Sequence, residues 1–80
     1  MPTVPPRIGP YRFYFFSVDG KERPHVHVTR DRKKAKFWLV PTVEIEWSKG
    51  FNAHEVGKVQ RLVSEYRDQF LESWNEYLNR

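Results

Sequence analysis

Polar and apolar side chains alternate along much of the first half of the chain, which is the period expected of half-buried strands. The alternation is clear in residues 25–29 and 42–47, and residues 11–16 and 35–40 also favour strands; turn-forming or charged segments separate the four stretches. The stretch 11–16 is a run of aromatic residues, which favour strands. We therefore expect an antiparallel sheet within residues 11–47.

The last third of the chain changes to a helical period. From Val56 onward, large apolar side chains recur at steps of three and four residues, with charged residues between them. Asn52 followed three residues later by Glu55 is typical of a helix N-terminus, because the asparagine side chain can accept from a backbone N–H group of the first turn. This pattern predicts a helix over residues 52–80.

Residues 1–10 hold four of the six prolines. Because proline fixes φ and cannot donate a backbone hydrogen bond, we expect an extended, proline-rich arm without secondary structure. The predicted fold class is α+β: a four-stranded antiparallel β meander in residues 11–47, then a long C-terminal α-helix in residues 52–80 packed on one face, in the order ββββα. A chain of 80 residues should form a single domain, residues 1–80.

Composition excludes several classes of protein. The chain is 16% aromatic, so a packed core is expected despite 30% charged residues. It has no cysteine, which excludes disulfides, cysteine-based zinc sites and thiol nucleophiles. No apolar stretch reaches the length of a membrane span, and the first residues lack the apolar region of a secretory signal. We expect a small cytoplasmic protein.

Strand alternation assigns each side chain to one of two faces of the predicted sheet. The apolar face should pack against the helix and is here called the core face, formed by Tyr11, Phe13, Phe15, Val26, Val28, Ala35, Phe37, Leu39, Val43, Ile45 and Trp47. The opposite side, called the second face, should show Arg12, Tyr14, Phe16, His25, His27, Lys36, Trp38, Glu44 and Glu46.

The second face combines aromatic and basic side chains, as nucleic-acid-binding sheets do. Aromatic rings on an open sheet stack on bases, and neighbouring cations bind phosphates. The charge distribution is consistent with this, since residues 1–40 carry nine basic and three acidic residues against five and seven in residues 41–80. Alternatively, the arm, a loop or a second subunit covers these rings. The predicted nucleic-acid-binding residues are Arg12, Tyr14, Phe16, Lys34, Lys36 and Trp38.

His25 and His27 lie two residues apart and should point the same way. As a general acid–base pair with Lys36, they would be the catalytic residues of a metal-independent ribonuclease. As a metal pair they would need a third ligand, for which Glu44 or Glu46 is available. As structural residues they would hydrogen-bond the backbone and hold a turn. The sequence has no pattern for a cofactor, and we predict neither cofactor nor metal.

The predicted helix is longer than the sheet it covers. Residues 53–80 would form a rod of roughly 42 Å at 1.5 Å per residue, whereas six-residue strands extend only about 20 Å. Either the helix breaks and folds back or its end packs on a second chain, and we expect the second chain. The predicted partner interface, which should project beyond the sheet, is Phe70, Leu71, Trp74, Tyr77 and Leu78.

Five sequence blocks occur in the order of a known family: PRIGPYRFYFFS, PHVHV, AKFWL, GFNAHE and WNEYL. Together they resemble the bacterial family catalogued as domain of unknown function 4160. The resemblance implies a short prokaryotic protein, often encoded beside a second small protein in an arrangement similar to a toxin–antitoxin pair. It implies no established activity, and no catalytic residue is carried over from it.

The resemblance thus implies a component of a toxin–antitoxin-like module that binds a small protein encoded by a neighbouring gene, and the long helix predicts a homo- or hetero-oligomer. RNA binding or cleavage through the second face is part of this prediction, with no membrane contact. The alternative is a non-catalytic adaptor or antitoxin that associates through its C-terminal helix.

Overall fold

The computed structural model describes residues 3–16 and 21–78, and within these ranges the chain forms one antiparallel sheet and two helices. The strands follow one another in the sheet in chain order, as a meander. The α+β class and the antiparallel sheet are confirmed, but the predicted numbers of strands and helices are wrong. The elements are β1 (Thr3–Ile8), β2 (Tyr11–Tyr14), β3 (His25–Arg30), β4 (Lys33–Trp38), β5 (Glu44–Lys49), α1 (Ala53–Glu65) and α2 (Arg67–Leu78).

The additional strand, β1, lies in the proline-rich segment. Val4 pairs with Phe13 and Ile8 with Tyr11, with a register shift between the two pairs that accommodates the prolines. Proline is tolerated here because β1 is an edge strand and its outer side needs no donors. Burial of the Val4 side chain explains why the segment pairs at all. The prediction of residues 1–10 as an arm without secondary structure is wrong for 3–8; residues 1 and 2 lie outside the described ranges.

The helical segment begins as predicted but is not continuous. Asn52 caps α1, its side-chain oxygen accepting from the Glu55 backbone N–H at 2.8 Å. The helix ends at Tyr66, whose φ of −104° and ψ of 16° depart from helical values, and α2 starts at the next residue. Arg67 Nε donates to the Leu39 carbonyl at 2.6 Å, which ties this junction to the end of β4. Residues 79 and 80 of the predicted helix lie outside the described part.

The break brings α2 back over the core face. Phe70 packs on Phe13 with ring centroids 4.9 Å apart, and Trp74 packs edge-on against Phe15 at 5.3 Å. Val59 and Val63 fill the core from α1. Burial of these side chains supplies the driving force for the turn at Tyr66, because a continuous helix would have left Phe70 and Trp74 beyond the sheet. In the described segments, no helix combines the length and apolarity required to traverse a bilayer.

A bulge in β5 reverses one predicted side chain. Lys36 lies opposite Trp47 while its neighbour Phe37 lies opposite Ile45, so Glu46 is an extra residue in β5. An extra residue interrupts the alternation of side chains. Trp47 therefore lies on the same side as Lys36, on the second face, and its predicted place on the core face is wrong.

Candidate nucleic-acid interface

The second face is built by the strand register. Tyr14, His27, Lys36 and Trp47 lie opposite one another in a row across β2, β3, β4 and β5. Side chains opposite each other in an antiparallel pair share a face, so these four groups are neighbours. The placement of Tyr14, His27 and Lys36 on one face follows the sequence prediction; Trp47 is an addition.

The next row of the second face carries three exposed cations. Arg12 lies opposite Thr29, Thr29 opposite Lys34, and Lys34 opposite Lys49. Arg12, Lys34 and Lys49 are exposed and Thr29 is half-buried. At about 4.8 Å per strand, the row extends about 14 Å from β2 to β5. This is a basic stripe, and no described residue forms an ion pair with its three cations.

Arg12 also lies where three shallow depressions meet. One, of about 400 Å³, lies between β1 and β2 and includes Arg7. A second, of about 360 Å³, includes Thr29 and Arg30, and a third, of about 350 Å³, includes Phe16 and Lys34. The basic stripe therefore continues around β2 toward the edge of the sheet. Arg7 and Lys49 are basic residues that the sequence prediction did not include.

His27 is enclosed by aromatic rings on the second face. Its ring stacks on Tyr14 with centroids 5.2 Å apart and planes 14° apart, and Phe16 meets it edge-on at 4.7 Å. His25 and Trp47 complete the enclosure at 5.0 and 6.5 Å. The His27 side chain is 6% exposed, whereas Phe16 and Trp47 remain 39% and 42% exposed. The two outer rings are thus more accessible to solvent than the imidazole.

His25 has the environment of a structural residue. It is fully buried, and its Nδ1–H donates to the Arg23 carbonyl at 2.8 Å. Since a carbonyl oxygen only accepts, this contact places the hydrogen on Nδ1. The ring packs against Trp74 of α2 at 5.0 Å and Trp38 at 5.5 Å. These contacts match the third interpretation of the histidines, in which the imidazole holds a turn. The catalytic roles of His25, His27 and Lys36 stay predictions.

Lys36 is neutralised by two carboxylates. Its Nζ lies 2.8 Å from Glu46 and 3.1 Å from Glu22, and 4.6 Å from the centroid of the Trp38 ring. Burial, the largest influence, lowers the pKa of Lys36, but the hydrogen bonds to Glu46 and Glu22 outweigh it and leave the pKa raised. Lys36 is therefore charged and already paired, whereas the cations of the basic stripe form no ion pair with any described residue.

Trp38 is held between two cations. The Arg23 guanidinium carbon lies 4.1 Å from the centroid of its ring, and Lys36 lies 4.6 Å away. Trp38 is half-buried and paired with His25 across β3 and β4. Its predicted stacking on a base stays untested, but Phe16 and Trp47 are the more accessible rings.

The metal interpretation lacks a third ligand. Within residues 3–16 and 21–78, no three His, Asp or Glu side chains converge on one point. Glu46, one of the two predicted third ligands, contacts Lys36 instead.

The predicted partner interface does not project from the molecule. Phe70 is fully buried and Trp74 nearly so, both against the core of this chain, and Leu71 is half-buried. The expectation that this group extends beyond the sheet is wrong because the helix breaks at Tyr66. Tyr77 is 47% exposed, and the Leu78 side chain lies outside the described part. Association of this end with another protein stays a prediction.

The sequence prediction missed an ionic cluster around the buried Glu55 carboxylate at the start of α1. The Glu55 carboxylate accepts from the Tyr11 hydroxyl at 2.9 Å, from Arg30 Nη1 at 2.6 Å and from Lys33 Nζ at 3.2 Å. Glu55 was predicted only as part of the helix start. The signal for the cluster was weak, because its four members are separated by up to 44 positions in the chain.

The sequence model of a family described as "Domain of unknown function (DUF4160)" matches residues 11–75. The chain belongs to this family. The match extends from the start of β2 into α2, and thus includes the whole second face except β1. Neither the curated proteins nor the solved structures contain a match to the chain. Because the DUF4160 description names no activity, the toxin–antitoxin-like role remains a prediction.

Proposed function

We propose that this DUF4160 protein binds single-stranded RNA on its second face and does not cleave it. The observation that carries the proposal is the basic stripe of Arg12, Lys34 and Lys49 beside the exposed rings of Phe16 and Trp47.

Single-stranded RNA fits this surface better than a duplex does. Among residues 3–16 and 21–78, the face consists of strands of one sheet, and the helices pack on the other face. Exposed aromatic rings can stack only on bases that are not already stacked in a helix, and the adjacent cations can bind the phosphates that join those bases. The depressions that meet at Arg12 give the backbone a path along the stripe toward β1.

The environment of the histidines supports binding without cleavage. A general base must come within hydrogen-bond distance of the 2′-hydroxyl group that it deprotonates. His25 is fully buried behind Trp74 and His27 is enclosed by rings. The cation expected to stabilise the transition state, Lys36, is neutralised by two carboxylates.

The test is the fluorescence anisotropy of a labelled single-stranded RNA oligonucleotide titrated with the full chain at several salt concentrations. The variant Arg12→Gln/Lys34→Gln removes two charges from the stripe, and the matched control Lys58→Gln/Arg61→Gln removes two exposed charges from α1. We expect the stripe variant to weaken binding and to flatten the dependence of log K on log salt by roughly 1.4, since each phosphate contact on a single strand contributes about 0.7.

The control variant should bind like the wild type. Equal weakening in both variants would show a general charge effect and would contradict the site. Phe16→Ala and Trp47→Ala should each reduce affinity at all salt concentrations by a similar factor, because stacking is not a counterion effect. After incubation the RNA should be intact on a denaturing gel; fragments that disappear in His27→Ala would restore the ribonuclease prediction.

A second candidate function is a protein-binding adaptor or antitoxin, and the observation that favours it is the 47% exposure of Tyr77 near the end of α2. In this case the partner is the small protein expected from a neighbouring gene. Tyr77→Ala would abolish co-purification of the two proteins while Arg12→Gln/Lys34→Gln would leave it unchanged.

A further inference from the structure

The two edges of the sheet differ in their capacity to pair. The outer strand β1 contains Pro5 and Pro6 and a register shift, all of which hinder pairing with another strand. The other edge, β5, has no proline, and all six of its residues are exposed. Within the described ranges, β5 forms strand pairs with β4 alone. We propose that two copies of this chain pair through β5, antiparallel and about a two-fold axis, so that their sheets join edge to edge.

Because of the bulge, the order of core-face and second-face residues along β5 is the same when it is read from either end of the strand. Glu44 lies opposite Trp38 on the second face, and Ile45 opposite Phe37 on the core face. At the other end, Ser48 lies opposite Ala35 on the core face and Lys49 opposite Lys34 on the second face. The two middle residues, Glu46 and Trp47, both lie on the second face, where Glu46 reaches Lys36 and Trp47 lies near His27.

This symmetry selects one register. With the axis between Glu46 and Trp47, Glu44 lies opposite Lys49 of the second copy, Ile45 opposite its Ser48, and Glu46 opposite its Trp47. Every pair then joins side chains of the same face, as antiparallel pairing requires. Two regular strands cannot pair in this register. The paired positions, such as 44 and 49, are an odd number of residues apart, and in a regular strand such side chains point to opposite faces. The bulge is what makes the arrangement self-complementary.

Charge supports the same register. Glu44 opposite Lys49 gives two opposite-charge pairs, one on each side of the axis. Shifting the axis onto Glu46 would bring two Glu46 carboxylates together and place Glu44 opposite Ser48, on the other face. Shifting it onto Trp47 would place Ile45 opposite Lys49, again across faces. Both neighbouring registers are therefore disfavoured by geometry, and the first also by repulsion.

The pairing would shelter exposed apolar surface on β5 and leave Arg12, Lys34 and Phe16 of the proposed RNA site accessible. Ile45 is 37% exposed and Trp47 42% exposed, and both lie on the strand that would be covered. The two second faces would lie on the same side of the joined sheet. Lys49 would then pair with Glu44, while Arg12 and Lys34 stay free in each copy. Dimer formation does not depend on RNA binding.

The first test is sedimentation equilibrium of the full chain over a wide concentration range, without RNA. We expect a monomer–dimer equilibrium. Glu44→Lys and Lys49→Glu should each raise the dimer dissociation constant by about tenfold, because each turns two attractive contacts into repulsive ones. The double variant Glu44→Lys/Lys49→Glu restores both pairs with the charges exchanged and should recover the wild-type constant. Glu72→Lys and Lys58→Glu, exposed on the helices, are the matched controls and should change nothing.

The second test is oxidative cross-linking, for which the absence of cysteine gives a clean background. Ile45→Cys/Ser48→Cys should form covalent dimers, because these positions lie opposite each other only between copies. Each single variant oxidised alone should form no covalent dimer, while an equimolar mixture of the two should cross-link. The proposal would be overturned by a chain that is monomeric at all concentrations. It would also be overturned if the dimer dissociation constant did not respond to the charge changes and either single cysteine variant cross-linked on its own. An edge that binds only the strand of another protein would give the monomeric result.

Discussion

The Tyr11 hydroxyl on β2 donates to the Glu55 carboxylate on α1 at 2.9 Å, joining the first turn of the helix to the sheet beneath it. Arg30 and Lys33 contact the same carboxylate. The hydrogen bond from Tyr11 is the largest influence that lowers the pKa of Glu55; burial opposes it and the two cations add to it, so that the pKa falls from 4.5 to about 2. Burial and the contact with Glu55 also raise the pKa of the Tyr11 hydroxyl, which keeps it a donor.

We expect the stability of the protein to fall with pH below the ordinary pKa of Glu55. A carboxylate with a lowered folded-state pKa stabilises the fold fully above 4.5, and this contribution is lost as the pH falls toward about 2, since the unfolded chain binds the proton first. Glu55→Gln should lower the melting temperature by several degrees at neutral pH and remove this part of the pH dependence. Thermal unfolding followed by circular dichroism from neutral pH to about 2 tests the effect.

The matched control is Glu72→Gln, a neutralisation on the exposed side of α2. Its melting curve should follow the wild type at every pH. If Glu55→Gln and the wild type kept a constant difference in melting temperature down to the lowest pH, the assigned linkage would be wrong.

Truncation of Phe70 should show that α2 is part of the core. Phe70 is fully buried against Phe13, so Phe70→Ala is expected to lower the free energy of unfolding by about 3–5 kcal/mol. Tyr77→Ala, seven residues farther along the same helix and exposed, should cost less than about 0.5 kcal/mol. Urea unfolding monitored by tryptophan fluorescence measures both. Similar small losses in the two variants would indicate that the end of the chain is not packed on the sheet.

His25 should matter for folding rather than for chemistry. Replacement by alanine leaves a cavity beside Trp74 and removes the donor to the Arg23 carbonyl, which together should cost about 2–4 kcal/mol. His54→Ala, on the exposed first turn of α1, should change stability by less than about 0.5 kcal/mol. Chemical denaturation compares the two. If His25→Ala kept the wild-type stability but changed the cleavage of RNA incubated with the protein, the His25 imidazole would instead be catalytic.

Expression in bacteria distinguishes an effector from an adaptor. Under the proposed RNA-binding function without cleavage, the chain expressed alone should leave total RNA intact on a gel. Growth arrest that is relieved by co-expression of the neighbouring small protein would support the toxin–antitoxin-like prediction. Harmless expression together with a tight complex would favour the adaptor. The variant Arg12→Gln/Lys34→Gln distinguishes the effector from the adaptor. It should relieve a growth defect that depends on RNA binding and leave a protein complex unchanged.

The sequence predicted most accurately the features that depend on residues close together in the chain. Alternation within β2, β3 and β4 placed Tyr14, His27 and Lys36 on one face, because side-chain direction in a strand follows from the backbone itself. The cap at Asn52 was recognised for the same reason, since cap and first turn are contiguous. The free energy of each of these features depends on residues only a few positions apart.

Three features depended on distant contacts and were predicted wrongly. Residues 3–8 form a strand despite their prolines because Val4 is buried in the core. The helix breaks at Tyr66, although no proline or glycine lies at the break. The reason is that packing of Phe70 and Trp74 on the sheet stabilises the fold more than a continuous helix would. The bulge at Glu46 turns Trp47 to the second face, which no pattern in β5 indicates.

The candidate site also has features that the local sequence pattern predicts and features that depend on distant contacts. By itself the sequence determined the order of β2 to β5, the two faces of the regular strands among them and the clustering of basic and aromatic residues on one face, because these follow from local period and composition. Only the tertiary structure decided which of those residues are accessible: it enclosed His25 and His27, paired Lys36 with Glu22 and Glu46, and left the basic stripe and the rings of Phe16 and Trp47 open. The reason is that burial and charge pairing are sums over contacts between segments far apart in the chain, and no local pattern contains them.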